Sequence, residues 1–291
     1  MASAELRQIR RRIRSVESTM KITRAMELIA TSRIVKAQQR VTAAQPYTRK
    51  MEEVIRNVAA ASGSASHPLL DARPLRIVGA VVVSSDRGLA GAYNSNVLRN
   101  AESRLLELKR GGTDARLFVV GKKAHSYFRY RGYQIERAFL GVTDTPGYGD
   151  ARAIANVIMN EYAEGNVDAV EVFTTRYLSA LTQQSVAHGL LPIEPPSSAQ
   201  PIAPVAYTYE PSAEDILGRL LPRYVEASIF GYLLDASASE HAARRRAMKA
   251  ATENAEELVH LLSREANQAR QAEITTEISE IVGGAEALTK G

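Results

Sequence analysis

The 291 residues contain no cysteine and no tryptophan, and aromatics make up only 6%. Without cysteine there is no disulfide, no thiolate chemistry and no Cys-ligated metal. The compartment is then unreadable from redox chemistry, and the cytosol is the default expectation. With so few aromatics, any large core has to be built from aliphatic side chains. No run of 18 apolar residues occurs, so no membrane span is expected. No secretory leader is visible, because arginines interrupt the first apolar cluster, and Glu5 and Glu17 argue against reading the Arg-rich start as a transit peptide.

Familiar chemical motifs are also missing. The chain has no GxSxG and no HExxH. VVGKKAHS, Val119–Ser126, is the nearest approach to a phosphate-binding P-loop, but it lacks the first glycine and the hydroxyl partner. The five histidines (His67, His125, His188, His241 and His260) have no ligand spacing, so surface or satisfied roles are expected and no metal or other cofactor.

What is present is helix. The positions Ile9, Ile13, Val16, Met20, Thr23, Glu27, Ala30, Ile34, Ala37, Val41, Ala44, Thr48, Met51, Ile55 and Val58 alternate steps of four and three. A seam this narrow and this long predicts a coiled coil rather than a surface helix of a globular domain. At 1.5 Å per residue, helix over 3–60 would be about 85 Å long. Pro46 should kink or split it. The C-terminal segment begins at a capping-box spacing, Ser212 with Asp215, and has neither Gly nor Pro between Ala236 and Val282. Gly218, Pro222 and Gly231 are candidate kinks in its first part. Met248, Ala251, Ala255, Leu258 and Leu262 continue a four-three seam in mostly small residues, which let two helices approach closely.

Between these segments the period changes. LRIVGAVVVSS (Leu75–Ser85), RLFVVG (Arg116–Gly121), Asp168–Thr175 and Ser185–Pro192 read as strands, with helices near Ser95–Lys109, Lys122–Tyr130 and Ala151–Glu164. A further edge strand is expected at Val205–Tyr209. Alternation of this kind predicts βαβ units in a largely parallel, Rossmann-like sheet. The expected organisation is an N-terminal coiled-coil helix over 1–60, a central α/β domain over 75–209 and a C-terminal coiled-coil helix over 210–291. The terminal helices would pair antiparallel, and the longer C-terminal one would overhang. An unpaired helix is marginal in water, so a protein sleeve is expected around the overhang.

Charge is divided between the ends. Met1–Val58 carries thirteen Lys/Arg against five Asp/Glu, a net of +8, and Glu210–Gly291 nine against fourteen, a net of −5. That favours pairing of the ends and leaves basic surface for an acidic partner. RQIRRRIR (Arg7–Arg14) and ARRRAMK (Ala243–Lys249) would suit a solvated face, nucleic-acid phosphates or an acidic protein. No base-stacking aromatics accompany them, so an acidic protein is preferred and nucleic acid is not expected. SSDRGLAGAYN, Ser84–Asn94, follows a strand and precedes a helix, where anions often bind. The plainer expectation is a tight connection in which Asp86 and Asn94 bond the backbone.

Three stretches taken together carry a resemblance: STMKITRAMELIATSRIVKAQ near the start, SSDRGLAGAYNSN in the middle and RAMKAATENAEELVHLLSREANQARQAEITTEISEIVGGAEAL at the end. They resemble the gamma subunit family of the rotary F-type ATP synthase, in order and over essentially the whole chain. The middle motif usually has Cys where this chain has Ala90. The resemblance implies a non-catalytic rotor subunit of the central stalk. Its coiled-coil shaft would turn inside three alpha and three beta subunits, with the epsilon subunit and the membrane c-ring at its foot, one copy per complex. It also implies proton-driven coupling and a bacterial protein peripheral to the cytoplasmic side of the cell membrane. Arg244, Arg270, Gln271, Thr275 and Glu277 match positions where the shaft touches beta-subunit loops, and Met26 matches one near an acidic beta loop. Arg33 and Lys36 are added as partners of that loop on the grounds of charge. The rival readings are a coiled-coil scaffold whose α/β cap binds nucleic acid or an acidic protein, and an enzyme with its site at Ser84–Asn94.

Overall fold

A computed structural model describes residues 4–62, 67–193 and 212–289; the expected edge strand at 205–209 lies outside these residues. The chain forms two compact units. Met1–Ile29 with Arg245–Gly291 make a helical unit, and Ala30–Arg244 make an α/β unit. Two long helices, α1 (Ala4–Ser62) and α5 (Ala213–Thr289), contribute to both.

Both helices run unbroken. Pro46 lies inside α1, and Pro222 inside α5, without splitting either. A mid-helix proline costs about 3 kcal/mol. Buried or half-buried seam residues on both sides of Pro46 (Ala44, Thr48, Met51 and Ile55) hold α1 together across that cost. Ser212 caps α5 as its spacing implied: its Oγ accepts the Asp215 amide at 3.1 Å and donates to the Asp215 carboxylate at 2.7 Å.

In the helical unit the two helices form an antiparallel coiled coil. Ile9, Ile13, Val16 and Met20 of α1 are half-buried and Thr23 is buried. Met248, Thr252, Ala255, Leu262 and Ala266 of α5 are buried. A buried hydrogen bond of 2.8 Å between the Thr23 and Thr252 hydroxyls fixes the register.

The α/β unit is a five-stranded sheet of order β3-β2-β1-β4-β5. The strands are β1 (Ile77–Val83), β2 (Asp114–Val120), β3 (Ile135–Phe139), β4 (Ala169–Tyr177) and β5 (Gln183–Leu191). The first four are parallel, and β5 returns antiparallel to β4. The edge strand β3 is absent from the sequence reading. Its IERAF has only half-buried and exposed positions, two of them charged, and lacks both strict alternation and the apolar run of a central strand. Between the strands run α2 (Tyr93–Arg110), α3 (Lys122–Tyr130) and α4 (Tyr148–Ala163).

Strand periodicity divides the core. Ala80 and Val82 point to one face, with Val97, Leu105 and Phe128 of α2 and α3. Val81 and Val83 point to the other, with Ile154 and Ile158 of α4, Met51, Ile55 and Val58 of α1, and Leu217, Leu221, Val225, Ile229 and Leu233 of α5. The long helices are therefore part of the fold of this unit.

Candidate functional site

In an open α/β sheet, ligands bind beyond the carboxyl ends of the strands where strand order reverses, here between β1 and β4. In this chain that crevice is filled by the chain itself. Ser239 of α5 donates to the Thr175 carbonyl at the end of β4, at 3.3 Å. Arg244 reaches the Gly88 carbonyl of the loop after β1, at 3.2 Å, and binds Glu240 at 2.5 Å. Burial pushes the Glu240 carboxyl up, and the Arg244 guanidinium only partly offsets this.

The loop's own polar groups are likewise closed. Ser85 donates its amide to Asn94 Oδ1 at 2.9 Å. Asp86 accepts amides of Lys122 (3.1 Å), Gly141 (2.9 Å) and Thr143 (3.2 Å), and the Thr143 hydroxyl at 2.8 Å. Burial raises the Asp86 carboxyl, but these bonds outweigh it and leave the group below its ordinary value. The first amides of α3, where a P-loop would hold phosphate, go to Asp86 Oδ1, the Ser85 carbonyl (3.0 Å) and Ser84 Oγ (2.8 Å). Gly121 permits this approach. Its φ is +92°, and a Cβ there would lie 2.5 Å from the Ser84 carbonyl oxygen. The Ser84–Asn94 segment is thus a self-satisfied joint, with the Asp86 carboxylate standing where a phosphate would sit.

The remaining candidate residues fall into two sets. In the α/β unit, Arg33 and Arg244 join one polar network. Arg33 Nη1 lies 2.6 Å from both Asp144 oxygens. His241 lies 3.4 Å from the Asp144 carbonyl and 3.4 Å from Arg244 Nη1. His241 is 2% exposed, and burial, reinforced by Arg244, depresses its pKa to about 4. It is therefore neutral at pH 7. Lys36 is exposed. These internal pairings were not readable from charge spacing.

In the helical unit Met26 is half-buried, while Arg270, Gln271, Thr275 and Glu277 are exposed. Thr275 donates its hydroxyl to the Gln271 carbonyl of its own helix. Nineteen residues from the Thr23–Thr252 bond, the antiparallel register sets Ala4, the first described residue, against Gln271. From Ile274 to Ala285 every side chain of α5 is exposed. That stretch carries an apolar stripe the sequence reading missed. Ile274, Ile278 and Ile281 are 47%, 56% and 72% exposed, at helical spacing. At 100° per residue the stripe lies between the Arg270/Glu277 edge and the Gln271/Thr275 edge. The signal was there as i, i+4, i+7, hidden by the polar residues around it.

Among the described residues no helix is long and apolar enough to cross a membrane, and no group of His, Asp and Glu is placed to hold a metal. The class this defines is a paired-helix protein built into an α/β unit, with its nucleotide-type crevice closed and its open surface on the helices. A family model described as ATP synthase matches residues 5–288. The ATP synthase gamma chain of Parafrankia sp. (strain EAN1pec) is 48% identical over 300 residues, covering 99% of both chains. That of Acidothermus cellulolyticus is 49% identical over 294 residues, covering 98% of this chain and 97% of the other. The chain belongs to the ATP synthase gamma chain family, a subunit family of that complex. Its fold is also that of a chain in the Tetrahymena thermophila mitochondrial ATP synthase central stalk and c-ring, with TM-score 0.61 and 22% identity over 79% of this chain and 99% of that one. A rotor chain of the Euglena gracilis mitochondrial enzyme has TM-score 0.62 and 15% identity, over 93% and 99%.

Proposed function

We propose that this chain is the central-stalk rotor of an F-type ATP synthase, coupling proton flow through a membrane c-ring to ATP synthesis and hydrolysis at beta-subunit sites. It is itself non-catalytic, peripheral to the cytoplasmic face of a bacterial membrane, and present once among three alpha and three beta subunits with epsilon. The three-segment organisation (helix over 1–60, α/β domain over 75–209, helix over 210–291) serves that role. The observation that carries the reading is the α5 end, exposed from Ile274 to Ala285 with an isoleucine stripe along it. Such a helix end is marginal alone, and its apolar stripe calls for foreign protein around it.

Arg270, Gln271, Thr275 and Glu277 flank that stripe and are the proposed contacts to beta-subunit loops, with Met26 as a contact from α1. Lys36 offers an exposed charge to an acidic loop. Arg33 and Arg244 act from within the polar network that holds them. A single asymmetric helix pair meets three equivalent sites unequally. It changes their nucleotide affinities by as much as it binds their conformations differently. The closed crevice fits a rotor that handles no nucleotide itself.

The test begins with a tag on this chain: alpha, beta and epsilon subunits should co-purify in a three-three-one ratio to one copy of it. Deleting residues 272–291, beyond the reach of the described part of α1, should then weaken coupling or assembly and leave the α/β unit folded. ATP synthesis by the reconstituted complex unchanged after that deletion would refute the contact assignments.

A further inference from the structure

We propose that the Leu140–Gly147 loop, between β3 and α4, is the clamp that passes turning force between the sheet and the two long helices, with Asp144 as its positioning residue. This rests on the rotor reading above and gives it a mechanical part.

The loop is bonded on both sides within the α/β unit. Toward the sheet, Gly141 and Thr143 are held by Asp86, which directly follows the central strand β1 and its loop start. Thr143 Oγ1 also accepts the Asp86 amide at 2.9 Å. Toward the helices, Asp144 binds Arg33 of α1 with both carboxylate oxygens at 2.6 Å. Its carbonyl accepts Ser237 Oγ of α5 at 3.1 Å and faces His241 Nε2 at 3.4 Å. Two residues on, the Pro146 carbonyl accepts Arg40 of α1. Arg87, from the loop after β1, lies 3.6 Å from Asp144. One short loop therefore ties the central strand to both helices.

Direction is what this loop adds. The apolar cluster that packs the helices on the sheet uses residues 51–58 of α1 and 217–236 of α5. The free energy of apolar burial opposes separation but is non-directional. Hydrogen bonds and a charge-assisted pair, which depend on distance and angle, fix register. The clamp engages residues 33 and 40 of α1 and 237 and 241 of α5. Along the chain these lie between the apolar cluster and the boundaries at 29/30 and 244/245, where both helices enter the helical unit. A twist arriving along either helix reaches the clamp before the apolar cluster. The geometry also suits the load, since the Asp144 side chain is 24% exposed, so screening is partial, and both of its oxygens lie 2.6 Å from Arg33 Nη1.

A merely structural role predicts that damage lowers assembly, and with it hydrolysis and pumping in proportion. A clamp predicts slip: hydrolysis persists and pumping is lost. The complex is assembled in inside-out membrane vesicles with wild-type chain, Asp144→Asn or Ser237→Ala. ATP hydrolysis and ATP-driven proton uptake are read on the same vesicles. The ratio of uptake to hydrolysis should fall about threefold or more in Asp144→Asn, the shift expected from removing a partly screened charge-assisted pair. Ser237→Ala should lower it by a smaller factor. An assembled Asp144→Asn complex with the wild-type ratio overturns the clamp. If Asp144→Asn fails to assemble, Ser237→Ala decides: a wild-type ratio overturns the clamp and a reduced one supports it. Wild-type vesicles that hydrolyse ATP without proton uptake would overturn the rotor reading and the clamp together, which separates that failure from the failure of the clamp alone.

Discussion

Replacing Asp235 by asparagine should stabilise the α/β unit at neutral pH and do nothing for it in acid. Asp235 lies on α5 and lines a cavity of about 340 Å³ with Gln45, Thr48, Arg49, Tyr224 and Ser228. Burial raises its carboxyl from 3.8 to about 6, and Arg176 offsets only part of this. A raised folded-state pKa means that the native chain holds its proton more tightly than the unfolded one. Stability is then greatest below 3.8 and falls as pH rises through 6. At 1.36 kcal/mol per unit, the ionised carboxylate at pH 8 costs the fold up to about 3 kcal/mol, an upper figure because part of the group meets solvent in the cavity. Asparagine keeps the shape and removes the charge. The assay is urea unfolding of the full-length chain at pH 4 and pH 8, followed by near-ultraviolet tyrosine circular dichroism. All twelve tyrosines lie within Ala30–Arg244, so the signal reports the α/β unit alone. A gain of the same size at both pH values, or none at pH 8, would refute the reasoning.

His241 has the opposite sign: its folded pKa of about 4 lies below the ordinary 6.5, so stability is fully present above 6.5 and is lost as pH falls toward 4, by about 3 kcal/mol. Since Asp235 gains over the same interval, unfolding of Asp235→Asn should show a steeper acid loss between pH 6.5 and 4 than wild type, and His241→Gln a shallower one. Gly121→Ala should destabilise the unit by at least about 3 kcal/mol, because a side chain at φ +92° would also meet the Ser84 carbonyl at 2.5 Å; the drop in urea midpoint measures it.

The long-range pattern was legible because repetition survives any local accident. All fifteen α1 seam positions are buried or half-buried, including Glu27 and the residues flanking Pro46. The central strands were legible for a related reason: IVGAVVV is covered on both faces, so it needs an apolar side chain at nearly every position. β3 was not, since a short edge strand needs only one protected face. The antiparallel turn of β5 was invisible too, because burial patterns carry no strand direction. In the candidate site, the bond from the Ser85 amide to Asn94 lies within the loop and was foreseeable from turn chemistry, whereas Asp86 takes amides of Lys122, Gly141 and Thr143 from elsewhere in the chain, which local sequence does not indicate. The pairing of Arg33 with Asp144 was not foreseeable either. It joins residues 111 positions apart, and one guanidinium in a basic helix looks like the next until the loop that meets it is known.

The kind of contact changes along α5, and the order of change has a mechanical meaning. Residues 217–236 are packed on the sheet by apolar side chains, and 237–244 are held by Ser237, Ser239, His241 and Arg244 in directional bonds. From Met248 to Ala266 the buried positions are mostly small, and they pair with one helix only. From Ile274 to Ala285 every side chain is exposed. Constraint thus weakens along the chain from a core, to a fixed register, to a single seam, to none. A helix end held by neither a core nor a partner helix gains little from propensity alone, so its order in the working state has to come from the protein around it. On the proposed reading, the protein around that end would contact it through Ile274, Ile278 and Ile281. On the rotor reading proposed above, rotation of that stripe would carry the same apolar contact from one surrounding site to the next, and so would make like sites unlike in turn.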